Sequence, residues 1–365
     1  PCYFTKSKGC NIWDLDGNKY IDMSIMGIGT NTLGYGNDQV DNAVMECINK
    51  GNMSTLNAPE EVYLAEKLIE LNPWASKVRF ARTGGEANAI AIRIARVASG
   101  KDKVAICGYH GWHDWYLSAN HNSSDNLSKH LIPGLSPKGV PKSLKETVFP
   151  FEYNDYDALT KIIENHDVGA IKMEVIRNFG PENNFLGKVR DLATKKGIVL
   201  IFDECTSGFR ETYGGIYKKY DVIPDIVMYG KTLGNGYAIT AVVGKEDVMN
   251  ATQKTFISST FWTERIGPTA AIKTLEVMKK MRSWEILTSQ GTKVREGWQS
   301  LALKYNIKIQ INGIPALSSL IFLSKKHLEY KTLIGQEMLS KGYLAGTLFY
   351  VSTAHTDDII SSYLN

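Results

Sequence analysis

A short glycine turn, Thr83-Gly84-Gly85, an aromatic–imidazole pair, Tyr109-His110, two carboxylates, Glu174 and Asp203, and a lysine between glycines, Lys231, could do chemistry together. The turn stands before a helical pattern, so free backbone N–H groups and the positive end of the helix dipole would face a phosphate. Taken alone, a capping threonine followed by a tight turn explains it as well. Asp203 closes Gly197-Ile-Val-Leu-Ile-Phe202, the most apolar run of the chain. A carboxylate there is poorly solvated and needs a partner, or its pKa rises until it neutralises. A neighbour such as Arg210 and a cationic ligand atom both meet that need. Lys231 lies in Tyr229-Gly-Lys-Thr-Leu-Gly-Asn-Gly236, where flanking glycines leave its amine room to reach a ligand. Desolvation would lower its pKa toward that of a useful nucleophile, although a lone lysine is ordinarily a surface residue.

The elements that must position these residues alternate along the chain. Val78–Ala81 reads as a strand and leads into the turn. The helix that follows carries Ala87, Ile90, Ile94 and Val97 at the spacing of one buried face. Val104–Gly108, Ala170–Glu174, Ile198–Phe202 and Asp225–Tyr229 are further strands flanked by helix-like sequence. Fully apolar strands alternating with helices predict an α/β fold, with a mostly parallel, seven-stranded-type sheet covered on both faces. Ligands of such sheets sit at the carboxyl ends of the strands, where the residues named above all fall. The polar stretch 121–147 reads as a surface loop over or beside the site. From Thr269 the pattern changes to a long helix, which sets a domain change near Lys280. The expected organisation is a large domain over 36–280 and a smaller α+β domain from 1–35 and 281–365.

One cofactor unites the set. Pyridoxal phosphate needs a phosphate cup, a carboxylate for its ring nitrogen, an aromatic on the ring face and a lysine for the aldimine. Other classes fit less well. A nicotinamide fingerprint fails because Gly27-x-Gly29 and Gly34-x-Gly36 both lack the final glycine and the strand–helix setting. Cys205 as a catalytic thiol lacks a matching Cys/His/Asn spacing. A net charge of +4 over 365 residues is too slight to argue for nucleic acid or an anionic membrane surface. No apolar run approaches the length of a membrane span. Five cysteines, odd in number and without a C-x-x-C pair, argue against a disulfide framework and a metal site, and for a reducing, cytoplasmic setting. The opening Pro1-Cys2-Tyr3-Phe4 has neither an initiator Met nor a signal-peptide plan, so a fragment is expected whose true start is missing.

The sequence resembles the class III (fold type I) pyridoxal-phosphate aminotransferases, and within them the glutamate-1-semialdehyde 2,1-aminomutase branch. The resemblance rests on Asn11–Asp22, Thr83-Gly-Gly-Glu-Ala87, Tyr109-His-Gly111, Phe202–Arg210, Gly230–Gly234 and Val351–Asp357. It implies that Lys231 forms the internal aldimine and shuttles the substrate proton, while Asp203 keeps the pyridine nitrogen protonated. It further implies that Tyr109 stacks on the ring, that His110 is a neighbour, that Gly84 and Gly85 with Thr83 hold the phosphate, and that Cys205 packs on the second face. Asn178 resembles the asparagine near the phenolic oxygen, with a spacing one residue shorter. Thr260 resembles the threonine that reaches the neighbouring subunit's phosphate, which implies a homodimer. The substrate half departs from the aminomutase pattern: Gly346-Thr-Leu-Phe-Tyr350 carries no carboxylate, and the N-terminal segment bearing an arginine has no counterpart here. The expected activity is therefore amino transfer from an amino-acid donor to a carbonyl, such as an oxidised sugar or biosynthetic intermediate. The alternatives are intramolecular aminomutase chemistry or a non-catalytic binding fold. Trp112, Trp115 and Trp262 read equally as an aromatic-walled substrate pocket or as core packing.

Overall fold

The apolar runs fold into one seven-stranded sheet whose carboxyl edge carries the reactive residues. The computed structural model of the chain describes residues 2–176 and 178–365, so Pro1 lies outside the described residues. The sheet strands are β1 (Lys77–Ala81), β2 (Lys103–Cys107), β3 (Val148–Pro150), β4 (Val168–Met173), β5 (Val199–Glu204), β6 (Ile226–Tyr229) and β7 (Thr240–Gly244). Their order is β1-β7-β6-β5-β4-β2-β3. All neighbours run parallel except at β7, which is antiparallel to both β1 and β6. Every residue of β4 and β5 is buried, as strands covered on both faces require. The sequence reading passes over β3, too short for any periodicity to show, and over the apolar β7.

Helix α1 (Gly84–Ser99) follows β1 and begins on the glycine turn. Thr83 caps it by accepting from the N–H of Glu86, and Gly100 ends it in the left-handed region at φ 68°. Its buried face, which includes Ala87, Ile90, Ala91 and Ile94, packs in one apolar cluster with Ile106, Ala170, Ile201 and Met228 of the sheet. The dipole of α1 thus points its positive end at the carboxyl edge.

The two ends of the chain share a second sheet. Phe4–Lys8, Asn11–Asp14 and Lys19–Met23 form an antiparallel meander, and Tyr343–Ala345 pairs parallel with Lys19–Met23. A third sheet joins Ile309–Asn312, Leu317–Phe322 and Leu348–Tyr350. Two long helices, α2 (Ile266–Met281) and α3 (Ser283–Lys304), lead into it, with Arg282 between them in the left-handed region. No helix among the described residues is long and apolar enough to cross a membrane.

A single buried side chain ties the N-terminal segment to the loop after β5. Arg210 is fully buried; its Nε donates to the Thr206 carbonyl at 2.6 Å and its Nη2 to the Gly29 carbonyl at 2.5 Å. Burial lowers its guanidinium to about 10, so it stays charged at neutral pH. Replacing it with methionine strands the buried Gly29 carbonyl and the half-buried Thr206 carbonyl. Arg210→Met is expected to destabilise the fold by about 2–4 kcal/mol, read as a lower urea midpoint at unchanged slope.

Candidate active site

Asp203 lies on β5, one residue before the strand ends, and its carboxylate is 4% exposed. Oδ1 accepts from the backbone N–H of Cys205 at 3.1 Å. Oδ2 lies 2.9 Å from Nδ1 of His110 and 3.6 Å from the ammonium of Lys172, whose side chain is fully buried. Burial alone would raise this carboxyl, but Lys172, His110 and the Cys205 N–H together hold it well below the usual carboxylate range. Burial outweighs Asp203 at His110 and lowers the imidazole, so the ring is neutral. A neutral histidine beside an ionised carboxylate donates through Nδ1 and leaves Nε2 as a bare acceptor. That Nε2 is buried and has no hydrogen-bond partner among the described residues. The Arg210 pairing that the sequence leaves open does not form, because Arg210 turns to carbonyls instead.

Lys231 starts the tight turn Lys231–Gly234 directly after β6 and Gly230. Its backbone sits at φ 33°, outside the comfortable range for a residue with a Cβ. The turn is held there by the Leu233 N–H on the Gly230 carbonyl and by the Thr232 hydroxyl on the Gly208 carbonyl. The amine donates to the hydroxyl of Thr206 at 2.9 Å, and Thr206 is the residue whose carbonyl Arg210 anchors. Packing at Gly230 is tight: a Cβ there would come 3.1 Å from both Sγ of Cys205 and Cγ2 of Thr240, so both would have to shift by a few tenths of an ångström.

Cys205 joins these groups. Its sulfur lies 4.0 Å from where a Cβ on Gly84 would be, so the glycine turn, Asp203 and Gly230 converge on it. Burial and the Asp203 charge raise its thiol well above the ordinary value, so it cannot act as a thiolate nucleophile. The N–H groups of Gly84 and Gly85 belong to the first turn of α1, which has no intrahelical acceptors for them. The His113 ring covers Gly85 so closely that a Cβ would meet its Cε1 at 2.5 Å, and its Nδ1 is buried without a partner among the described residues. Sequence reasoning passes over Thr206 and Lys172 and gives His113, in Trp112-His-Asp-Trp115, no role. A lysine inside the apolar run Ala170-Ile-Lys-Met173 is the signal that could have pointed to Lys172.

Tyr109 is half-buried at the end of β2, with its N–H on Oε2 of Glu174 at 3.1 Å and its ring edge-on to Tyr116. The 121–147 loop docks beside this strand end, where Nδ1 of His130 accepts from the Gly108 N–H at 3.2 Å. Next to it a cavity of about 280 Å³ is lined by Gly108, His130, Glu152, Glu174 and Asn178. Asn178 itself is exposed, and its carbonyl accepts from Gly313. Thr260 is also exposed, on a segment that Arg82 tethers next to Thr83 by bonding the Phe261 and Glu264 carbonyls. The three tryptophans do not wall one pocket. Trp115 is buried in the core, Trp112 is 70% exposed beside His113, and Trp262 lies under the Arg79 guanidinium. Trp115 lies on the short helix Asp114–Leu117, whereas Trp112 precedes that helix's cap residue His113, which is why the two part.

The family profile "Aminotransferase class-III" matches residues 1–355. The chain belongs to the class III aminotransferases. It is an enzyme of that family, 35% identical to a 3-aminobutyryl-CoA aminotransferase of Cloacimonas acidaminovorans, over 98% of this chain and 86% of that one. It is 30% identical to a glutamate-1-semialdehyde 2,1-aminomutase of Persephonella marina, over 100% and 90% of the two chains. Its fold superimposes on an omega-transaminase of Sphaerobacter thermophilus with a TM-score of 0.90 at 22% identity, over 99% and 89% of the chains. It also superimposes on the pyridoxal-phosphate internal aldimine form of the FumI protein of a Sphingopyxis strain, with a TM-score of 0.88 at 23% identity, over 100% and 86%. In this class III chain the reactive set falls at the carboxyl edge of the fold type I sheet.

Asp203→Asn leaves Lys172 and His110 buried without their carboxylate. The expected cost is about 3 kcal/mol at pH 7. The folded carboxyl lies below its unfolded value near 3.9, so its stabilisation is complete above about pH 5 and is lost as pH falls further. Urea midpoints of the two proteins are therefore expected to differ by a constant amount from pH 7 to pH 5 and to converge below about pH 4.

Proposed function

We propose that this chain is a pyridoxal-phosphate-dependent aminotransferase that moves an amino group from an amino-acid donor to a carbonyl on a separate acceptor. One observation carries the reading. An ionised carboxylate, a lysine amine and a glycine cup at a helix N-terminus converge around Cys205. The residues fit the cofactor: Asp203 at the buried end would take the ring nitrogen, the first N–H groups of α1 with His113 would take the phosphate, and Tyr109 and Cys205 would flank the ring. Bound there, pyridoxal phosphate supplies an electron sink for the substrate carbanion.

The protein's own residues do the rest. Asp203, fixed by two hydrogen-bond donors and the Lys172 ammonium, keeps a negative charge against the ring nitrogen across the neutral range. His110 orients Asp203 through Nδ1 and keeps water from its Oδ2. Lys231 would hold the cofactor, and its free amine would move a proton at the substrate carbon; Thr206 aims that amine. General acid–base work of this kind contributes about 10²–10⁴ in rate. Asn178 at the rim of the neighbouring cavity is proposed to approach the phenolic side, and Thr260 to complete the phosphate site of a second subunit in a homodimer. We place the enzyme in the reducing cytoplasm on its five unpaired cysteines.

The separate acceptor is favoured because Leu348–Tyr350, the segment where an aminomutase-like carboxylate is expected, is a sheet strand without one. The 35% identity to a protein named as an aminotransferase points the same way. The second reading, an intramolecular aminomutase, rests on the identity to proteins of that name. The two separate cleanly in solution: a stoichiometric keto acid from an added donor supports the first, and 5-aminolevulinate from glutamate-1-semialdehyde the second. Lys231→Ala is expected to abolish the visible absorbance of the lysine-linked cofactor and to lower half-transamination with amino donors by about 10³-fold or more. Survival of both signals in that variant overturns the assignment.

A further inference from the structure

A lysine buried to zero exposure in the middle of a parallel sheet needs an explanation. Lys172 sits on β4 between Ile171 and Met173, and an apolar residue there would avoid the cost of removing an ammonium from water. Its amine has two named partners, Sδ of Met228 at 2.8 Å and Oδ2 of Asp203 at 3.6 Å. A thioether is a weak acceptor, so the carboxylate is the group that holds the charge. The ionisable groups that act on Lys172 are Asp203 and Cys205 from β5 and its following loop, and Glu174 just beyond its own strand. His110 stands on the other side of the same carboxylate oxygen. Across the core, the α1 face in this cluster is apolar, with Ala87, Ala91 and Ala95. Burial pulls Lys172 below the ordinary lysine value while Asp203 pulls it back.

We infer that Lys172 is a positioning residue that competes with the cofactor's ring nitrogen for the charge of Asp203, so that the ring nitrogen holds its proton less tightly than Asp203 alone would make it. The inference rests on the proposed reading of the site. Asp203 is one carboxylate with a cation already 3.6 Å from Oδ2. A protonated ring nitrogen on that carboxylate brings a second cation into the same water-free space, where like charges repel strongly. Either cation relieves the strain by releasing its proton. The sink strength of the cofactor is then set by a residue that never touches it.

The test uses full-length protein loaded with pyridoxal phosphate labelled with ¹⁵N at the ring, in the wild type and in Lys172→Met and Lys172→Gln. Methionine is close to lysine in length and removes the charge; glutamine keeps polarity without charge. The ring-nitrogen shift is followed by NMR from pH 6 to pH 9, and cofactor affinity by equilibrium dialysis. The ring nitrogen of the wild type is expected to lose its proton at least about one pH unit below that of either neutral variant, with cofactor bound about tenfold more tightly in the variants. A wild-type ring nitrogen that stays fully protonated at pH 9 overturns the inference without any variant. So does an unchanged titration, or unchanged or weaker cofactor binding, in a folded neutral variant. Absence of a borohydride-trappable link between cofactor and Lys231 in the wild type would instead overturn the underlying reading of the site.

Discussion

An ionised carboxylate at the end of the most apolar strand is the constraint that the rest of the site depends on. Buried and alone, Asp203 would take up a proton; with Lys172, His110 and the Cys205 N–H around it, it stays charged. Such a charge is costly to bury and stays buried only while all its partners remain in place. Strand β4 supplies Lys172, the loop after β2 supplies His110, and the turn after β5 supplies the N–H. Three separate pieces of chain must therefore arrive in register before the carboxylate can hold its state.

The neighbouring backbone follows from the same crowding. At 230 a Cβ would crowd the Cys205 sulfur and Thr240 at 3.1 Å, and at 108 the left-handed φ of 115° favours glycine while the Glu174 carboxylate packs against the same side. Lys231 is forced to a positive φ immediately after Gly230, and the turn that holds it there is closed by its own backbone and by Thr232. Strain of this kind persists only where surrounding packing over-determines it. Arg210 adds a second layer, since the Thr206 it anchors is the residue that receives the Lys231 amine. Positioning thus passes from a buried guanidinium through one threonine to the reactive nitrogen.

Much of this architecture is legible in the sequence, for physical reasons that differ by element. Fully buried strands such as β4 and β5 are apolar along most of their length, and α1 shows its buried face at helical spacing, so both announce themselves. β3 does not, because three residues ending in Pro150 carry no period. The rule that ligands gather at carboxyl strand ends picks out Thr83–Gly85, Tyr109-His110, Asp203 and Lys231 as strand-end residues. It says nothing about what lies beneath them. Lys172 stands inside a strand rather than at its end, and only the neighbouring strand shows that its amine faces Asp203. The tryptophans fail as a group for the opposite reason: residue type suggests a wall, whereas side-chain direction sends Trp115 inward and Trp112 outward.

By itself, the sequence determined the fold class, the alternation of the main buried strands with helices, and the family, because these depend on local patterning and on motifs read along the chain. Tertiary structure alone decided which charges meet. Whether Asp203 pairs with Arg210 or with His110 and Lys172, whether Cys205 is a nucleophile or an inert packing group, and where the Lys231 amine rests are all questions of distance between segments far apart in sequence. Electrostatic energy varies with separation and burial, and neither is written in the order of residues. The folded sheet sets both.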